Sequence, residues 1–210
     1  MPRLSHWETL LHEGLRIVHE RGFAGASVRD IVHAADVPQG SFTNHFASKE
    51  VFALEIIDLY LKSSRDVIRD TLHDLTRTPL ARLAAYVDLN IARRSKNGVR
   101  HGCLLGNFAA EASEHSEAIR LRVVEIFAET QAAIASCLRD AVAAGELAAQ
   151  TDCHELAGFI VSSLQGATLL GKAQRSGESE RRFRQLLFST VLIHPASASQ
   201  PDDWKETSIT

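Results

Sequence analysis

The stretch that decides the fold is residues 27–46, SVRDIVHAADVPQGSFTNHF. Its spacing predicts two short helices, over about 27–35 and 38–44, separated by a tight turn that contains Asp36. Pro38 suits the first position of a helix, where its missing N–H group costs no hydrogen bond. Asp tolerates the unusual backbone angles that such a turn requires. Two short helices around a tight turn are typical of a helix-turn-helix, whose second helix enters the major groove of DNA.

Outward from this stretch, the rest of the chain also favours helices. Apolar residues recur at 3.6-residue spacing, and short alternating runs rich in Val, Ile and Tyr do not appear. We therefore predict an all-α fold of about nine helices, with a three-helix head at the N-terminus and a helical body behind it. The predicted helices span about 5–21, 27–35, 38–44, 48–72, 78–97, 104–112, 117–144, 152–171 and 178–191.

Composition and charge exclude several classes of protein. The 210 residues include 23 Lys and Arg against 26 Asp and Glu, a net charge of −3, and 45% of them are hydrophobic. Such a chain has ample apolar surface to bury, which excludes overall disorder, and its charge argues against coating nucleic acid by bulk attraction. No stretch of about 20 residues is free of charged and polar side chains, which excludes a membrane span. The N-terminus has no apolar signal segment, so we expect a cytoplasmic protein.

No motif of an enzyme or a metal centre stands out. Cys103, Cys137 and Cys153 lie far apart and form no Cys-x-x-Cys pair, so neither a disulfide scaffold nor a zinc site is expected. The chain has no Gly-rich phosphate loop, no His-Glu-x-x-His and no Gly-x-Ser-x-Gly. We therefore predict no enzyme activity, no catalytic residue, no cofactor and no metal.

The head resembles the DNA-binding head of the tetracycline-repressor (TetR) family of bacterial regulators. The similarity covers about residues 7–55 and consists of several spaced matches. The matching residues are Gly22-Phe23, Ser27-Val28-Arg29-Asp30-Ile31, Ala34-Ala35-x-Val37, Gly40-Ser41-Phe42, His45-Phe46 and Ser48-Lys49-Glu50. The resemblance implies a repressor that binds a double-stranded DNA operator as a homodimer and is released by a small-molecule effector. Its second domain would bind the effector and dimerise through the last two helices.

On this basis the chain divides into three parts. Residues 1–47 form the DNA-binding head, 48–194 the effector-binding and dimerisation domain, and 195–210 a polar, Pro- and Ser-rich tail that we expect to be mobile. The long helix that starts after Ser48 joins the head to the body. A ligand that tilts it would change the distance between the two heads of a dimer, which must be about 34–36 Å, one turn of DNA, or a multiple of that distance.

The second helix of the predicted helix-turn-helix carries small polar residues, while Phe42 and Phe46 are expected to face inward. The predicted DNA contacts are Gln39, Ser41, Thr43 and Asn44 at base edges, Gly40 beside them in the groove, and Ser27, Arg29, His45 and Lys49 at phosphates. Two positions depart from the family pattern, which usually has Lys at position 39 and Tyr at position 43. Residues 1–50 hold five Lys and Arg against six Asp and Glu, so we expect a modest electrostatic contribution to DNA binding.

Residues 100–108, RHGCLLGNF, resemble the Gly-Cys-Leu segment of a TetR subgroup that includes regulators responding to acrylate and to N-ethylmaleimide. In some members the Cys is proposed to sense electrophiles. Arg100, His101 and a nearby helix N-terminus would favour a reactive thiolate at Cys103. The other interpretation is a buried thiol that only packs at a helix junction.

The effector cavity is expected between the fifth and eighth helices, and its lining suggests a small, partly apolar or electrophilic molecule. The candidate ligand-binding residues are Tyr86, Asn90, Cys103, Asn107, Phe108, Glu111, Phe127, Gln131 and Gln165. The dimer surface is expected on helices 152–171 and 178–194, where small residues allow close helix crossing. The candidate interface residues are Phe159, Ser162, Ser163, Gly166, Leu169, Phe183 and Leu187.

Two other functions fit the composition. The chain could be a helical small-molecule-binding protein or enzyme module without DNA binding, or a purely structural dimer. A sequence-specific shift of upstream DNA in a gel separates the regulator from both.

Overall fold

The computed structural model describes residues 5–193, except for the side chain of Asn97. In this part of the chain there are nine α-helices and no strand, so the prediction of an all-α fold is confirmed. The helices are α1 (His6–Arg21), α2 (Val28–Ala34), α3 (Gly40–His45), α4 (Lys49–Thr71), α5 (Pro79–Asn97), α6 (Leu104–Glu111), α7 (Glu117–Ala143), α8 (Cys153–Gln174) and α9 (Glu178–Leu186). A 3₁₀ turn, Val99–His101, precedes α6, and a π-helical turn, Leu187–Val191, follows α9. The tail predicted for 195–210 lies outside the described residues.

Most helix ends lie where the capping residues predict them. The Ser5 hydroxyl accepts from the Glu8 backbone N–H, and the Glu8 carboxylate accepts from the Ser5 backbone N–H at 2.8 Å, which completes a capping box. Helix α1 ends at Gly22, whose φ of 81° is in the region that glycine adopts without strain. The Ser48 hydroxyl accepts from the Val51 backbone N–H and caps α4.

Three helix boundaries differ from the prediction by two residues or more, and one of them is the end of α8, which lies at Gln174 and not at residue 171. The helix expected from residue 38 begins at Gly40, because the Ser41 N–H donates to the Pro38 carbonyl at 2.9 Å and closes a tighter turn first. The last helix ends at Leu186, five residues early, since the Leu192 N–H donates to the Leu187 carbonyl at 2.9 Å. This bond spans five residues instead of four and converts the last turn to a π-helix.

The buried apolar residues form two clusters. The first joins the head to α4, α6 and the first half of α7, and the second lies between the end of α4, α5, the second half of α7 and α8. The first cluster is continuous across the domain boundary predicted at residues 47–48. The head is therefore packed on the body through a shared core, and the division of the chain at residues 47–48 stays a prediction.

At the centre of the first cluster, three aromatic rings hold α3 against α4. The ring centroids of Phe42 and Phe46 lie 4.9 Å and 4.7 Å from that of Phe52, and 5.3 Å from each other. The inward orientation predicted for Phe42 and Phe46 is confirmed, since all three side chains are buried. Helix α1 approaches the Phe52 ring so closely that a Cβ atom added at Gly14 would lie 2.2 Å from Phe52 Cζ.

Gly14 is therefore expected to be required for stability. Because Phe52 is held between two other rings and cannot move aside, Gly14→Ala should lower the free energy of unfolding by about 1–3 kcal/mol, despite the better helix propensity of Ala. Urea denaturation measures the change. Gly40→Ala is the matched control, since a Cβ there has no atom within 4 Å, and equal losses in the two variants would contradict the account.

Candidate nucleic-acid interface and internal cavity

The turn between α2 and α3 has the geometry that the sequence predicts. Asp36 adopts a φ of 50°, one of two non-glycine residues with positive φ in the part of the chain that the structure describes. The Asp36 N–H donates to the His33 carbonyl at 3.2 Å, and the Val37 N–H donates to the Val32 carbonyl at 3.4 Å. These bonds reverse the chain within two residues, and α3 crosses α2 as in a helix-turn-helix.

The outward face of α3 is polar and accessible. Gln39, Gly40, Thr43, Asn44 and His45 are all exposed. The Thr43 hydroxyl donates to the Gly40 carbonyl at 3.1 Å, within its own helix. This face carries amide, hydroxyl and imidazole groups that suit hydrogen bonds to base edges, but their contact with DNA stays a prediction.

Ser41 does not belong to this face, and the prediction that it reads a base edge is wrong. Its side chain is 6% exposed, and its hydroxyl lies 3.4 Å from Nδ1 of His6 on α1. A helix of six residues has fewer than two turns, so its docking on α1 decides which polar residues turn inward.

Of the arginines that the structure describes in the head, Arg29 has the most available charge. Arg16 pairs with Glu13 at 2.9 Å, and Arg21 lies 3.5 Å from Asp30. Arg29 is exposed and has no ion pair within residues 5–193. It lines a surface depression of about 360 Å³ together with Gln39, which precedes α3. A DNA phosphate bound by Arg29 would therefore lie next to the start of α3.

The hydroxyl of Ser27, the other predicted phosphate contact on α2, is exposed but already bound within the head. It accepts from the Asp30 backbone N–H at 3.1 Å and also contacts the Asp30 carboxylate. The same contacts lower the pKa of Asp30, so its negative charge persists at the start of α2. A phosphate near Ser27 would therefore meet that charge.

Lys49, at the start of α4, is half-buried and binds to the loop between α1 and α2. Its ammonium donates to the Phe23 carbonyl at 2.6 Å and lies 4.4 Å from the centroid of the Phe23 ring. Burial lowers the pKa of Lys49, opposed by the charge of Glu111. A phosphate contact by Lys49 stays a prediction, since an ammonium has three N–H donors and the Phe23 carbonyl, 26 residues away, accepts from one of them.

Helix α6 holds the same loop from the other side. The Ala24 backbone N–H donates to the Glu111 carboxylate at 3.1 Å, and the rings of Phe23 and Phe108 lie 5.4 Å apart. Glu111 and Phe108 were predicted to line the effector cavity, and the structure contradicts both predictions. They lie at the end of α6 that contacts the head, where periodicity alone could not distinguish one inward surface from another.

A second contact joins α1 to the start of α6. Nε2 of His19 lies 3.0 Å from the Gly102 carbonyl oxygen, and the His19 ring packs 5.7 Å from His101 and 6.1 Å from Tyr60. Burial lowers the pKa of His19, and the charges of His101 and Lys172 lower it further, against the opposing effect of the Gly102 carbonyl. The neutral imidazole is therefore the form that the folded protein favours.

Two small cavities lie in the body beside this contact. The first, of about 50 Å³, lies between α4, α5, α7 and α8 and contains five of the nine residues predicted to bind the effector. Those five are Tyr86, Asn90, Cys103, Phe127 and Gln165. The second, of about 40 Å³, shares Tyr60, Ser64, Asn90 and Arg94 with the first and extends to His19. The role of these residues in binding stays a prediction.

Asn107 and Gln131, the other two candidates, line neither of these cavities. The Asn107 amide donates to the His101 carbonyl at 3.0 Å, and its oxygen accepts from the Lys172 ammonium at 2.8 Å. The Gln131 amide donates to the His154 carbonyl at 3.2 Å. Both residues make contacts that tie α6 or α7 to α8, and Asn107 lines a groove between α6 and α8 instead of the two cavities, so the role of both in binding stays a prediction.

Sequence reasoning missed Arg94, Tyr60, Ser64 and Thr130 in the first cavity. A charged Arg near the end of α5 has the pattern of a solvated surface residue, and nothing local indicates its buried partner 86 residues away. Tyr60 carried a usable signal, since it lies on the apolar stripe of α4 and is one of only two tyrosines in the chain.

Cys103 borders two spaces and is partly exposed. It lines the first cavity, and it also lines an outer groove of about 220 Å³ between α6 and α8. Arg100 and His101 contact each other at 3.2 Å, and Arg100 lies 3.9 Å from Glu20 of α1. Their contacts therefore tie the 3₁₀ turn to the head, and the two interpretations of Cys103 stay open.

An apolar face of α8 remains exposed along its length. Leu169 is 67% exposed, and Phe159 and Leu170 are about half exposed. The small residues Ser162, Ser163 and Gly166 lie between them on the same helix face. An exposed apolar face of this kind normally marks a site that packs against another protein surface.

On the adjacent last helical segment, two of the predicted interface residues turn inward. Leu187 is buried in the second core, which contradicts its prediction, and Phe183 is partly buried against the same core. Leu186 is 51% exposed in their place.

Neither a metal site nor a membrane-spanning helix is present in the described range. Within residues 5–193, no three His, Cys, Asp or Glu side chains form a group that could hold a metal ion. None of the helices in that range combines the length and apolar content needed to cross a bilayer.

Comparison with protein families matches both parts of the chain. The model "Bacterial regulatory proteins, tetR family" matches residues 10–56. The model "Tetracyclin repressor-like, C-terminal domain" matches residues 79–187, which is slightly more than half of the chain. The matches therefore include the helix-turn-helix and the part of the body that contains the cavities.

Individual proteins agree with these matches. The HTH-type transcriptional repressor DhaR of Mycobacterium sp. (strain GP1) is 33% identical over 192 residues, which cover 91% of this chain and 95% of that protein. The crystal structure of regulatory protein TetR from Rhodobacter sphaeroides has a TM-score of 0.82 at 29% identity and covers 86% of this chain and 95% of its own. A cysteine mutant of the TetR family regulator CifR, complexed with 26 bp double-strand operator DNA, has a TM-score of 0.75 at 25% identity, with 93% and 100% coverage.

The buried imidazole between head and body predicts a pH dependence of stability. The folded state lowers the pKa of His19, so the unfolded state binds a proton more readily as the pH falls through about 6.5. Between about pH 7.5 and 5.5, the wild type should lose more stability than His19→Gln, which can donate to Gly102 without titrating. Urea unfolding at both pH values measures this difference. His12→Gln, at an exposed position of the same helix, is the control, and a wild type that loses no more than His19→Gln would refute the assignment.

Proposed function

Because the chain belongs to the TetR family of bacterial regulators, we propose that it is a transcriptional repressor. It binds a palindromic operator as a homodimer and is released by a small-molecule effector. The observation that carries the proposal is the outward polar face of α3, presented by a helix that Phe42, Phe46 and Phe52 anchor to the body. The structure of CifR with operator DNA supports the same use of the head. The proposal assigns the chain no catalytic residue.

Base recognition in this proposal comes from the exposed residues of α3. The amides of Gln39 and Asn44 can each accept and donate, which suits bidentate pairing with adenine. Thr43 adds a methyl and a hydroxyl group on the same face. Arg29 and His45 flank this face and are the candidates for phosphate contacts.

Electrostatic attraction contributes modestly to operator binding in this account. Two arginines of the head are paired with carboxylates, and the Lys49 ammonium is bound to a carbonyl. Few cations are left to release counterions, so the affinity should depend weakly on salt for a regulator of this family.

The dimer forms through the exposed face of α8 together with α9. Phe159, Leu169 and Leu170 supply apolar contact, and Gly166 has no atom within 4 Å of a Cβ position. That open space allows another helix to approach closely. A twofold axis through this face would make the contact isologous, so that the same residues of α8 meet in both copies.

Helix α6 is the element that connects the cavity with the head. Its first turn follows Cys103, which lines the first cavity, and its last residue, Glu111, holds the α1–α2 loop. Its N-terminal end is also next to the Gly102–His19 contact. A ligand that moves the start of α6 would therefore act on two of the contacts that fix the head, and through α4 on the position of α3.

In this proposal the effector is a small, partly apolar molecule. It either binds in the cavity without reacting or reacts with the thiol of Cys103. The thiol lines the cavity and the outer groove, so an electrophile could reach it from either side. If Cys103→Ser still releases the operator normally, the thiol is structural.

A helical small-molecule-binding protein without DNA binding is the second function, and the absence of any sequence-specific gel shift with upstream DNA would favour it.

Asn44 and Ser41 provide a matched test of the recognition face. Asn44→Ala should weaken operator binding by about tenfold or more, since one bidentate base contact contributes about 1–3 kcal/mol. Ser41→Ala should stay within about twofold of the wild type, because a buried hydroxyl does not reach the groove. Fluorescence anisotropy with operator and with unrelated DNA of equal length measures both. Comparable losses in the two variants would contradict the orientation of α3.

A substitution at Glu111 tests the contact between the end of α6 and the α1–α2 loop of the head. In Glu111→Ala, the Ala24 N–H loses its acceptor, and the loss of about 1 kcal/mol should speed amide exchange in residues 22–26 about fivefold. Hydrogen–deuterium exchange with mass spectrometry measures this segment. Glu114→Ala, an exposed neighbour, is the control. Unchanged exchange in Glu111→Ala would show that the contact does not hold the loop.

A further inference from the structure

Histidines outnumber the permanent cations of the head. Residues 5–50 contain five histidines against three arginines and one lysine. Arg16 and Arg21 pair with carboxylates, and the Lys49 ammonium donates to a carbonyl, whereas Arg29 is exposed. An imidazole changes its charge between about pH 5 and 8. A histidine placed where a phosphate binds would therefore make the attraction between this head and DNA depend on pH.

His33 is the histidine that lies beside Arg29. The two residues are four positions apart on α2, so their side chains leave the helix on the same side. Together with Gln39, which precedes α3, they line one surface depression of about 360 Å³. His33 is exposed at this position. The depression thus brings together a guanidinium, an imidazole and an amide at the junction of α2 and α3.

The place of this depression in the helix-turn-helix points to the DNA backbone as its ligand. In this motif the first helix crosses the backbone, while the second enters the major groove. Arg29 and His33 belong to the first helix, and Gln39, a predicted base contact, precedes the second. Side chains that line the exposed junction of the two helices therefore lie between backbone and groove in a complex. A phosphate oxygen is the acceptor that this position offers.

One acidic side chain, that of Asp30, also lines the depression. Its carboxylate accepts from the Ser27 backbone N–H at 3.1 Å and contacts the Ser27 hydroxyl. Its Oδ1 lies 3.5 Å from Nη1 of Arg21 on α1. Asp30 is therefore held by groups of its own helix cap and is partly balanced by a cation from α1.

The remaining surroundings of His33 are mostly uncharged. The turn after α2 contributes Asp36, whose backbone N–H donates to the His33 carbonyl at 3.2 Å and whose side chain is exposed. Val32 and Val37 line the depression with apolar surface, and Gln39 adds a neutral amide. The side chains that line the depression therefore sum to zero charge while the imidazole is neutral, and to one positive charge once it is protonated.

A phosphate in the depression would favour the protonated form. Without DNA, an imidazolium at His33 would lie one helical turn from the Arg29 guanidinium, and like charges at that spacing repel each other modestly. A phosphate adds a negative charge that attracts both cations. The proton comes from the solvent and binds the free ring nitrogen, which then donates to a phosphate oxygen.

We propose that His33 contacts an operator phosphate together with Arg29, and that operator binding is coupled to the uptake of a proton by this imidazole. One imidazole in each protomer takes up a proton as the complex forms, so binding tightens as the pH falls from 8 to 6. The inference rests on the proposed function, since it concerns the same DNA-binding face. It adds a residue and a pH dependence to that function.

The test measures operator binding by the full-length protein at pH 6 and pH 8, with fluorescence anisotropy at matched ionic strength. From pH 8 to pH 6, the affinity of the wild type should rise more than that of His33→Gln, by about fivefold for each protomer that contacts DNA. His45 is present in both proteins, so its titration cancels. His12→Gln, at an exposed position of α1, is the matched control and should follow the wild type. Equal pH dependence in the wild type and His33→Gln would overturn the proposal.

A second variant, His33→Arg, separates the charge of this side chain from its packing. A permanent cation should raise the affinity at pH 8 about fivefold for each protomer and should leave only the weaker pH dependence of His33→Gln. At pH 6, the plot of log affinity against log salt concentration should be steeper for the wild type than for His33→Gln, by about 0.9 for each phosphate contacted. Unchanged affinity of His33→Arg at pH 8, or equal salt slopes at pH 6, would show that His33 does not contact a phosphate.

The titration of His19 cannot produce the expected result, because it acts in the opposite direction. Burial lowers the pKa of His19, so a falling pH weakens the folded state and with it any binding. His33 is exposed, so both substitutions should leave the fold intact. Circular dichroism at pH 6 and pH 8 checks that each variant is folded.

The same titrations distinguish this inference from the proposed function. A sequence-specific complex with the same pH dependence in the wild type and His33→Gln would refute the proton coupling and leave the regulator intact. The absence of any sequence-specific complex between pH 6 and pH 8 would refute the regulator, and the proton coupling with it.

Discussion

The structure depends on the packing of Phe42 and Phe46 around Phe52. These rings join the recognition helix to α4 in one buried cluster, so α3 cannot change its orientation independently of the body. Six residues of helix have too few internal hydrogen bonds to be stable alone. Tertiary packing therefore creates the polar face of α3 as well as positioning it, and any motion of α4 is transmitted to that face.

The contacts between head and body lie close to the cavities. Lys49 and Glu111 hold the α1–α2 loop, while His19 contacts the carbonyl of Gly102, next to the Cys103 that borders the first cavity. A ligand in the body and an operator at the head would thus each favour a different position of the same elements, the α1–α2 loop and the start of α6. Reciprocal coupling between two sites requires a shared element of this kind.

The sequence predicts the elements of this fold well and their facing surfaces less well. The turn at Asp36 and the inward phenylalanines follow from local chemistry, and the structure confirms them. Ser41 and Leu187 were assigned to the wrong surface, because a short helix and a π-helical turn give periodicity too little length to fix a direction. Arg94 depends on Glu180, far along the chain, and no local pattern contains that pairing.

Hydroxyl-radical footprinting of the upstream DNA tests the central claim most directly, namely that two copies of α3 read one duplex from a single dimer. The account predicts two protected segments related by a twofold axis, with centres one helical turn or a whole number of turns apart. A single protected segment, or uniform protection along the fragment, would contradict it.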